Sequence, residues 1–358
     1  MQAEARAASV QAARSTGGRA VSDAPPKVTM QISLAPTDLP TARQTVPHQL
    51  RVWADQVDEI LFVLDLHRSP GRYGDAWQER LPGIRALIDD ACRRYGHARG
   101  VEVDYSERVV EHLSATYCGG ARIPPKNCFG APIHAYLFGV EEAAHDLVFE
   151  VNGDMMYGGA SHSWIDEGCR LLASRDDILT VSPLPGPPTP DGSLRSQVLQ
   201  REPSLPNAYR AFKMSTRHFL LDRRTLRERI APIALTRPDL RRRITAWLDG
   251  VPPVESLEQL ISDRMREEGL LRVEFLGSAP GMWSIHPDIR SDAFYEALPR
   301  IVTMIESGTV PPAQEGCHDL GESMVDLAGT RTPRSRRAIR HLRIAARRVQ
   351  NGLSALFA

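Results

Sequence analysis

The stretch Phe149-Glu-Val-Asn-Gly-Asp-Met-Met-Tyr-Gly-Gly159 decides how this chain is read. An apolar run gives way there to a short polar turn carrying one carboxylate, Asp154. Asn-Gly between hydrophobic flanks is a strong hairpin signal, because both residues tolerate positive φ and the resulting turn matches the twist of the flanking strands. The plain reading is a hairpin turn. The alternative is a strand end that holds a cation, and the choice depends on what surrounds it.

Working outward, Leu147 to Val151 reads as a buried strand that runs straight into the motif, and Ala131 to Ala144 before it as a helix. Further upstream, Val28 to Ser33 is rich in β-formers, Thr41 to Val57 is amphipathic, and Ile60 to Leu64 is an apolar run ending at Asp65. Gln78 to Tyr95 reads as a helix and Val101 to Tyr105 as a short strand. Strands alternating with helices predict an α/β fold, a mostly parallel central sheet flanked by helices. Ligands in such sheets bind at the carboxyl ends of the strands, where Asp65 and Asp154 both fall.

Downstream, Ser161 to Ser174 reads as a helix whose positive N-terminal end faces the Asp154 turn. Ile178 to Val181 reads as a strand entering a proline-rich loop, 183 to 192. Arg210 to Leu221 is a candidate strand, Leu226 to Leu248 a broken helix, Leu257 to Glu268 an amphipathic helix, Leu271 to Phe275 a strand and Phe294 to Ile305 a helix. Between the last two, Trp283 and His286 stand out in a loop.

At 358 residues, with 42% apolar and 25% charged residues, the composition is that of an ordinary globular chain. Five scattered cysteines without a Cys-x-x-Cys pair suggest neither a disulfide framework nor a zinc knuckle, and point to a reducing, cytoplasmic setting. No apolar stretch reaches the roughly 20 residues needed to span a bilayer. Residues 1 to 27 read as a disordered leader, with an organellar transit peptide as the alternative.

The 44 basic and 44 acidic residues balance overall, but from Leu327 onward there are eight arginines and no acid. That leaves 36 basic against 44 acidic residues before it, a net of −8. In Arg336 to Phe357 the apolar residues Ile339, Leu342, Ala346, Val349, Leu353 and Leu356 recur at helical steps, which predicts a basic amphipathic helix. Such a helix suits a membrane surface or another helix. Nucleic acid is the weaker partner, since no aromatics interleave the arginines.

A strand ending in Asn152-Gly153-Asp154 inside this alternation resembles the GT-A (Rossmann-like) fold of nucleotide-sugar-dependent glycosyltransferases, in particular the family 2 type, whose signature is Asp-x-Asp. The first carboxylate is here an amide. The resemblance runs over about residues 28 to 310 and divides the chain into a GT-A-like domain, 28 to 315, followed by a linker and the basic helix, 316 to 358. Residues 28 to 160 would form the donor-binding half and 161 to 315 the acceptor half.

The resemblance implies roles residue by residue. Ala35 and Pro36, after the first strand, would contact the nucleoside, and Asp65 the base. Lys126, before the helix leading to the motif strand, would lie near the diphosphate with Asn152, Gly153 and Asp154. Asp154 and His286 would hold Mn²⁺ or Mg²⁺. Glu258 or Glu255 would be the base, with Asp222 behind them.

These residue types suit the chemistry. A hard cation on oxygen ligands neutralises charge on a leaving diphosphate, and the attacking hydroxyl must lose its proton to a positioned carboxylate. The expectation is a glycosyltransferase moving a sugar from a nucleotide sugar to an unidentified acceptor (a glycan, a lipid-linked group or a small molecule), with inversion. The alternatives are a sugar nucleotidyltransferase, which the SLAPTDLPTAR segment after the first strand does not favour, and a non-catalytic binder with a degenerate site. Each residue also has a plainer reading: turn acid for Asp154 and Asp65, helix-start acids for Glu255 and Glu258, buried loop residue for His286.

Overall fold

The computed structural model describes residues 26–69, 76–195, 197, 199–288 and 290–325. The expected leader, except for Pro26 and Lys27, and the basic helix 336 to 357 lie outside the described residues.

The protein is an α/β fold. Its strands are β1 (Val28–Leu34), β2 (Glu59–Leu64), β3 (Ala98–Glu102), β4 (Leu147–Asn152), β5 (Met156–Gly158), β6 (Ile178–Pro185), β7 (Gln200–Arg201), β8 (Ala208–Ala211), β9 (His218–Asp222), β10 (Leu271–Phe275) and β11 (Trp283–Ile285). The sheet runs β3-β2-β1-β4-β9-β6-β10-β8-β7, and β11 and β5 are added beside β6. Strands β1, β2, β3 and β4 pair in parallel, as do β6 and β10, while β9 runs backwards between β4 and β6. The two halves of the chain therefore share one sheet.

The helices are α1 (Leu39–Trp53), α2 (Trp77–Arg94), α3 (Glu107–Cys118), α4 (His134–Glu142), α5 (Trp164–Ser174), α6 (Leu240–Asp249), α7 (Leu257–Glu268) and α8 (Asp292–Glu306). In β2, Ile60, Phe62 and Leu64 face one core, with α1, α2 and α5. Leu61 and Val63 face the other, with α3, α4 and α7. Burial on both faces explains why ILFVL has no polar alternation. Helix α1 places Leu39, Ala42, Val46, Leu50 and Trp53 at steps of 3, 4, 4 and 3, and Trp53 meets Phe149 edge-on at 4.8 Å.

Several elements differ from expectation. Strand β3 begins and ends three residues earlier than its apolar run suggests. The candidate strand 210 to 221 is two separate pieces, β8 and β9, each antiparallel to its neighbours in the sheet. The expected proline loop is in part strand, since β6 continues through Pro183 to Pro185, and helix α3 is an addition to the expected elements. Residues 316 to 325, expected as linker, pack into a third core with β11 and α8: His318, Leu320, Met324 and Val325 are all buried.

The Asn-Gly motif is a turn but not a hairpin. Neither Asn152 nor Gly153 has positive φ, and β4 and β5 do not pair with each other, because β5 pairs with β11. The glycines of the motif have steric reasons instead. A Cβ at Gly153 would lie 2.3 Å from Leu34 Cδ2, and one at Gly158 would lie 2.1 Å from the Trp283 indole. They let the turn press under β1 and let β11 lie against β5.

Candidate active site

Because β1 and β4 are parallel and in register, Ser33 opposite Asn152, the chain leaves both strands at the same rim. After β1, Ala35 and Pro36 enter a single 3-10 turn, Pro36–Asp38, and the Ala35 amide donates to Asp38 Oδ2 at 2.8 Å. After β4, the Gly153 amide donates to the Ser33 carbonyl at 3.2 Å, and Thr45 of α1 donates to the Gly153 carbonyl. These bonds fix Asp154, 5% exposed, beneath the end of β1.

Strand β11, hydrogen-bonded to β5, delivers His286 to the same place. Its Nε2 lies 3.8 Å from Asp154 Oδ2, and its Nδ1 lies 3.4 Å from Asp319 Oδ1. A neutral imidazole whose Nδ1–H donates to that carboxylate would present Nε2 as an acceptor on the Asp154 side, the orientation metal-ligating histidines take. Arg217, at the entrance to β9, also reaches Asp319 at 3.4 Å. On the far side, Arg290 Nη2 donates to Asp154 Oδ2, and its Nη1 is 3.5 Å from Asp38 Oδ1. Arg217, Asp319, His286, Asp154, Arg290 and Asp38 thus form one continuous chain of polar contacts along the rim.

Burial alone would raise the Asp154 carboxyl. The Arg290 guanidinium, with His286, outweighs it and holds the group below the usual carboxylate value. Asp38 moves the other way, raised chiefly by burial. The hydrogen bond from His286, stronger than partial burial, lowers Asp319, and burial keeps His318 neutral.

The fit to a divalent cation can be judged on these atoms. Asp154 Oδ1 is buried and makes no hydrogen bond, and His286 Nε2 faces the same carboxylate. One carboxylate and one imidazole, with substrate oxygens completing the shell, fit Mn²⁺ or Mg²⁺. Among the described residues no group of three or more His, Cys, Asp or Glu side chains is clustered closely enough to hold a metal. Asn152 does not face the site: its Oδ1 accepts from the Tyr136 hydroxyl at 2.6 Å.

The other predicted residues fall into three places. Asp65, at the end of β2, is two strand spacings from the motif, about 10 Å. It is held by Lys126 Nζ at 2.5 Å and the Tyr105 hydroxyl at 2.8 Å, so Lys126, 5% exposed, is committed to Asp65. Glu258 is brought to the same end of β4 as Asp154. Its Oε1 accepts from Thr216 N at 2.9 Å and Thr216 Oγ1 at 3.1 Å, and its charge acts on Tyr136, the partner of Asn152.

Glu255 lies apart, beside Cys128, whose thiol is pushed up to about 11 by burial and then by Glu255. Asp222 is not brought to the site. It pairs with Leu147 at the start of β4, a strand length or about 17 Å from the rim. There it caps the following helical turn, accepting from Arg224 N at 2.8 Å.

Sequence reading missed Asp38, Arg290 and Asp319. The hint for Asp38 was an acid four residues past the end of β1. Arg290 and Asp319 carry no local signal, because only the fold brings Arg290 to Asp154 and Asp319 to His286.

No protein-family model matches the chain, and no curated protein matches it. Among solved structures it is similar to glucosyl-3-phosphoglycerate synthase from Mycobacterium tuberculosis in complex with Mn²⁺, UDP and phosphoglyceric acid, at 13% identity and TM-score 0.26, over 44% of this chain and 42% of that one. It is similar to the mannosyltransferase PcManGT from Pyrobaculum calidifontis in complex with GDP-Man and Mn²⁺, at 10% identity and TM-score 0.34, over 87% and 74%. It is also similar to a UDP-glucose pyrophosphorylase complexed with UDP-glucose, at 9% identity and TM-score 0.36, over 71% and 92%. The chain spans less than half the length of the first of these, and the site described above stands on its own geometry.

Proposed function

We propose that the protein is a nucleotide-sugar-dependent glycosyltransferase, transferring a sugar from a nucleoside-diphosphate sugar to an acceptor hydroxyl with the help of Mn²⁺ or Mg²⁺ and with inversion, the nucleoside diphosphate leaving. The observation that carries this reading is a buried Asp154 at the carboxyl ends of β1 and β4, with Oδ1 unpartnered and Oδ2 facing His286 at 3.8 Å. A cation held by Asp154 and His286 would neutralise the charge that builds on the leaving diphosphate.

The chain's own residues supply the rest. The turn at Ala35 and Pro36 and the Asp65 strand end line the rim on the nucleoside side, and the Asp65–Lys126 pair keeps that strand end rigid. Glu258, oriented by both Thr216 donors, takes the proton of the attacking hydroxyl; a positioned base is worth about 10²- to 10⁴-fold in rate. Glu255 is the weaker candidate, and Asp222 has no part.

A non-catalytic binder is the second reading, favoured by Asn152, whose side-chain oxygen is taken by Tyr136. Calorimetric titration with a panel of nucleoside diphosphates, with and without Mn²⁺, on the wild type and Asp154→Ala separates these. Metal-dependent binding that is lost in the variant is expected, and no nucleotide binding under any condition sinks both readings. Donor hydrolysis or transfer that Glu258→Gln abolishes marks the enzyme; binding without turnover marks the binder.

Among the described residues no helix is long and apolar enough to cross a membrane. A peripheral placement would rest on the basic tail.

A further inference from the structure

Among the described residues five large apolar side chains are exposed, and three of them lie on α6. Leu240, Ile244 and Trp247 are 67%, 53% and 59% exposed. Following at steps of 4 and 3, they form one outward stripe, while Ala246 on the inner side is fully buried in a small core with Cys128 and Val251. At roughly 3.6 residues per turn, Arg241 and Arg243 fall on opposite flanks of the stripe. The stripe lines an open groove of about 350 Å³ with Arg237, Arg243 and Pro253. A fourth exposed apolar side chain, Phe129, adjoins the same helix under the Arg242 guanidinium, 4.1 Å from its ring centre.

The charge here is as unusual as the exposure. Arg223, Arg224, Arg227 and Arg229, just upstream, are all in ion pairs. Among the described residues Arg237, Arg241, Arg242 and Arg243 are in none, and Asp239, the nearest acid in the chain, caps α6 by accepting from the Arg242 amide. A short helix with an exposed apolar stripe, a tryptophan within it and unpaired arginines on both flanks needs a partner that is apolar and anionic at once. A second copy of the helix would set arginine against arginine, and nucleic acid offers phosphates but no apolar layer for Leu240 and Ile244. A bilayer with anionic headgroups offers both.

We propose that α6 is a membrane-docking helix, seating Leu240, Ile244 and Trp247 at the boundary between headgroups and acyl chains and Arg241 and Arg243 on the lipid phosphates. This footing is separate from the basic tail and stands whether or not the site transfers a sugar. It is coupled to the rim by the chain itself: the Cys128 amide donates to the Val254 carbonyl at 2.8 Å, two residues from the Lys126 that holds Asp65.

The test is sedimentation of the full chain with vesicles of phosphatidylcholine alone or mixed with phosphatidylglycerol. Binding to the mixed vesicles only is expected. Leu240→Ser with Ile244→Ser should weaken it about tenfold or more, and Arg241→Gln with Arg243→Gln about tenfold. These side chains are exposed, so both variants should fold, and unchanged binding in either overturns the proposal. Because the tail could bind such vesicles by itself, Trp247 emission reads the location: Trp53, Trp164 and Trp283 are 5% exposed or less. Bromine-labelled lipid is expected to quench the wild type more than Trp247→Phe, and equal quenching overturns the proposal. So does a wild type that ignores the mixed vesicles, whether it forms a dimer that the serine variant dissolves or holds a DNA duplex that the glutamine variant releases.

Discussion

Replacing Gly158 by alanine should disturb the site from a distance, because Gly158 is where β11 lies closest to β5. An added Cβ would meet the Trp283 indole at 2.1 Å. An ordinary van der Waals contact begins near 3.4 Å, so the ring must retreat by at least 3.4 − 2.1 = 1.3 Å. Trp283 is 5% exposed and packed in the third core, with no open side to retreat into. Overpacking of this kind costs typically 1–3 kcal/mol, and a rigid indole places the change at the upper end, about 2.5 kcal/mol. At an m value of about 3 kcal/mol/M the urea midpoint falls by roughly 0.8 M.

The same displacement pulls β11, and with it His286, away from Asp154, so the metal-dependent nucleotide binding proposed above should weaken alongside stability. Gly96→Ala is the control: nothing lies within 4 Å of its Cβ and its φ is not positive, so the midpoint should hold or rise slightly. Trp283→Phe, which removes the outer part of the indole, should recover part of the loss in the double variant. A midpoint for Gly158→Ala within about 0.2 M of wild type, or no recovery in the double variant, refutes the reasoning.

Two further outcomes concern buried charge. Lys126→Met leaves Asp65 unpaired at 6% exposure and should cost about 3–5 kcal/mol in urea unfolding, whereas Lys126→Met with Asp65→Asn should regain most of that loss. The hydrogen bond from His48 holds Glu306 down to about 2. Its folded value is depressed, so its stabilisation is complete above the unfolded carboxylate range and is lost as pH falls from about 4.5 toward 2. With the Glu306 side chain 35% exposed, that contribution is about 1 kcal/mol, and Glu306→Gln should flatten the stability curve over that window by this amount. An unchanged curve counts against the pair.

The sheet was legible because its central strands are buried on both faces. VTMQIS, ILFVL and LVFEV are unbroken β-prone runs, and a parallel sheet requires that. The same physics explains what stayed hidden. Strand β3, with Arg99 and Glu102 half in solvent, lacks an apolar run, so a reading by apolar runs places it three residues late. Strand β11 is only three residues long and is defined by its neighbours.

The site was half legible. Asp154 and Asp65 stand out as acids at the ends of apolar runs. Glu258 opens a helix like any first-turn acid, and only its contact with Thr216 separates it from Glu255. Arg290, one of many arginines, acquires its place solely through the packing of α8 beside β5. Lys126 shows the opposite: its charge suggested a phosphate, and the fold gave it a carboxylate.

Strand β9 runs against its neighbours, so its beginning, not its end, lies at the rim where β1 and β4 finish. The loop 213–217, which enters it, therefore reaches the site without a crossover helix, bringing Arg217 to Asp319 and Thr216 to Glu258. A parallel strand can lend this rim only its exit loop, whereas a reversed strand lends its entry loop. Loop 213–217 is tied down on both sides, the Asn152 amide donating to the Arg217 carbonyl at 2.8 Å and Met214 buried in the core with α3, α4 and α7, so a change in it is felt at the end of β4 as well as at Glu258.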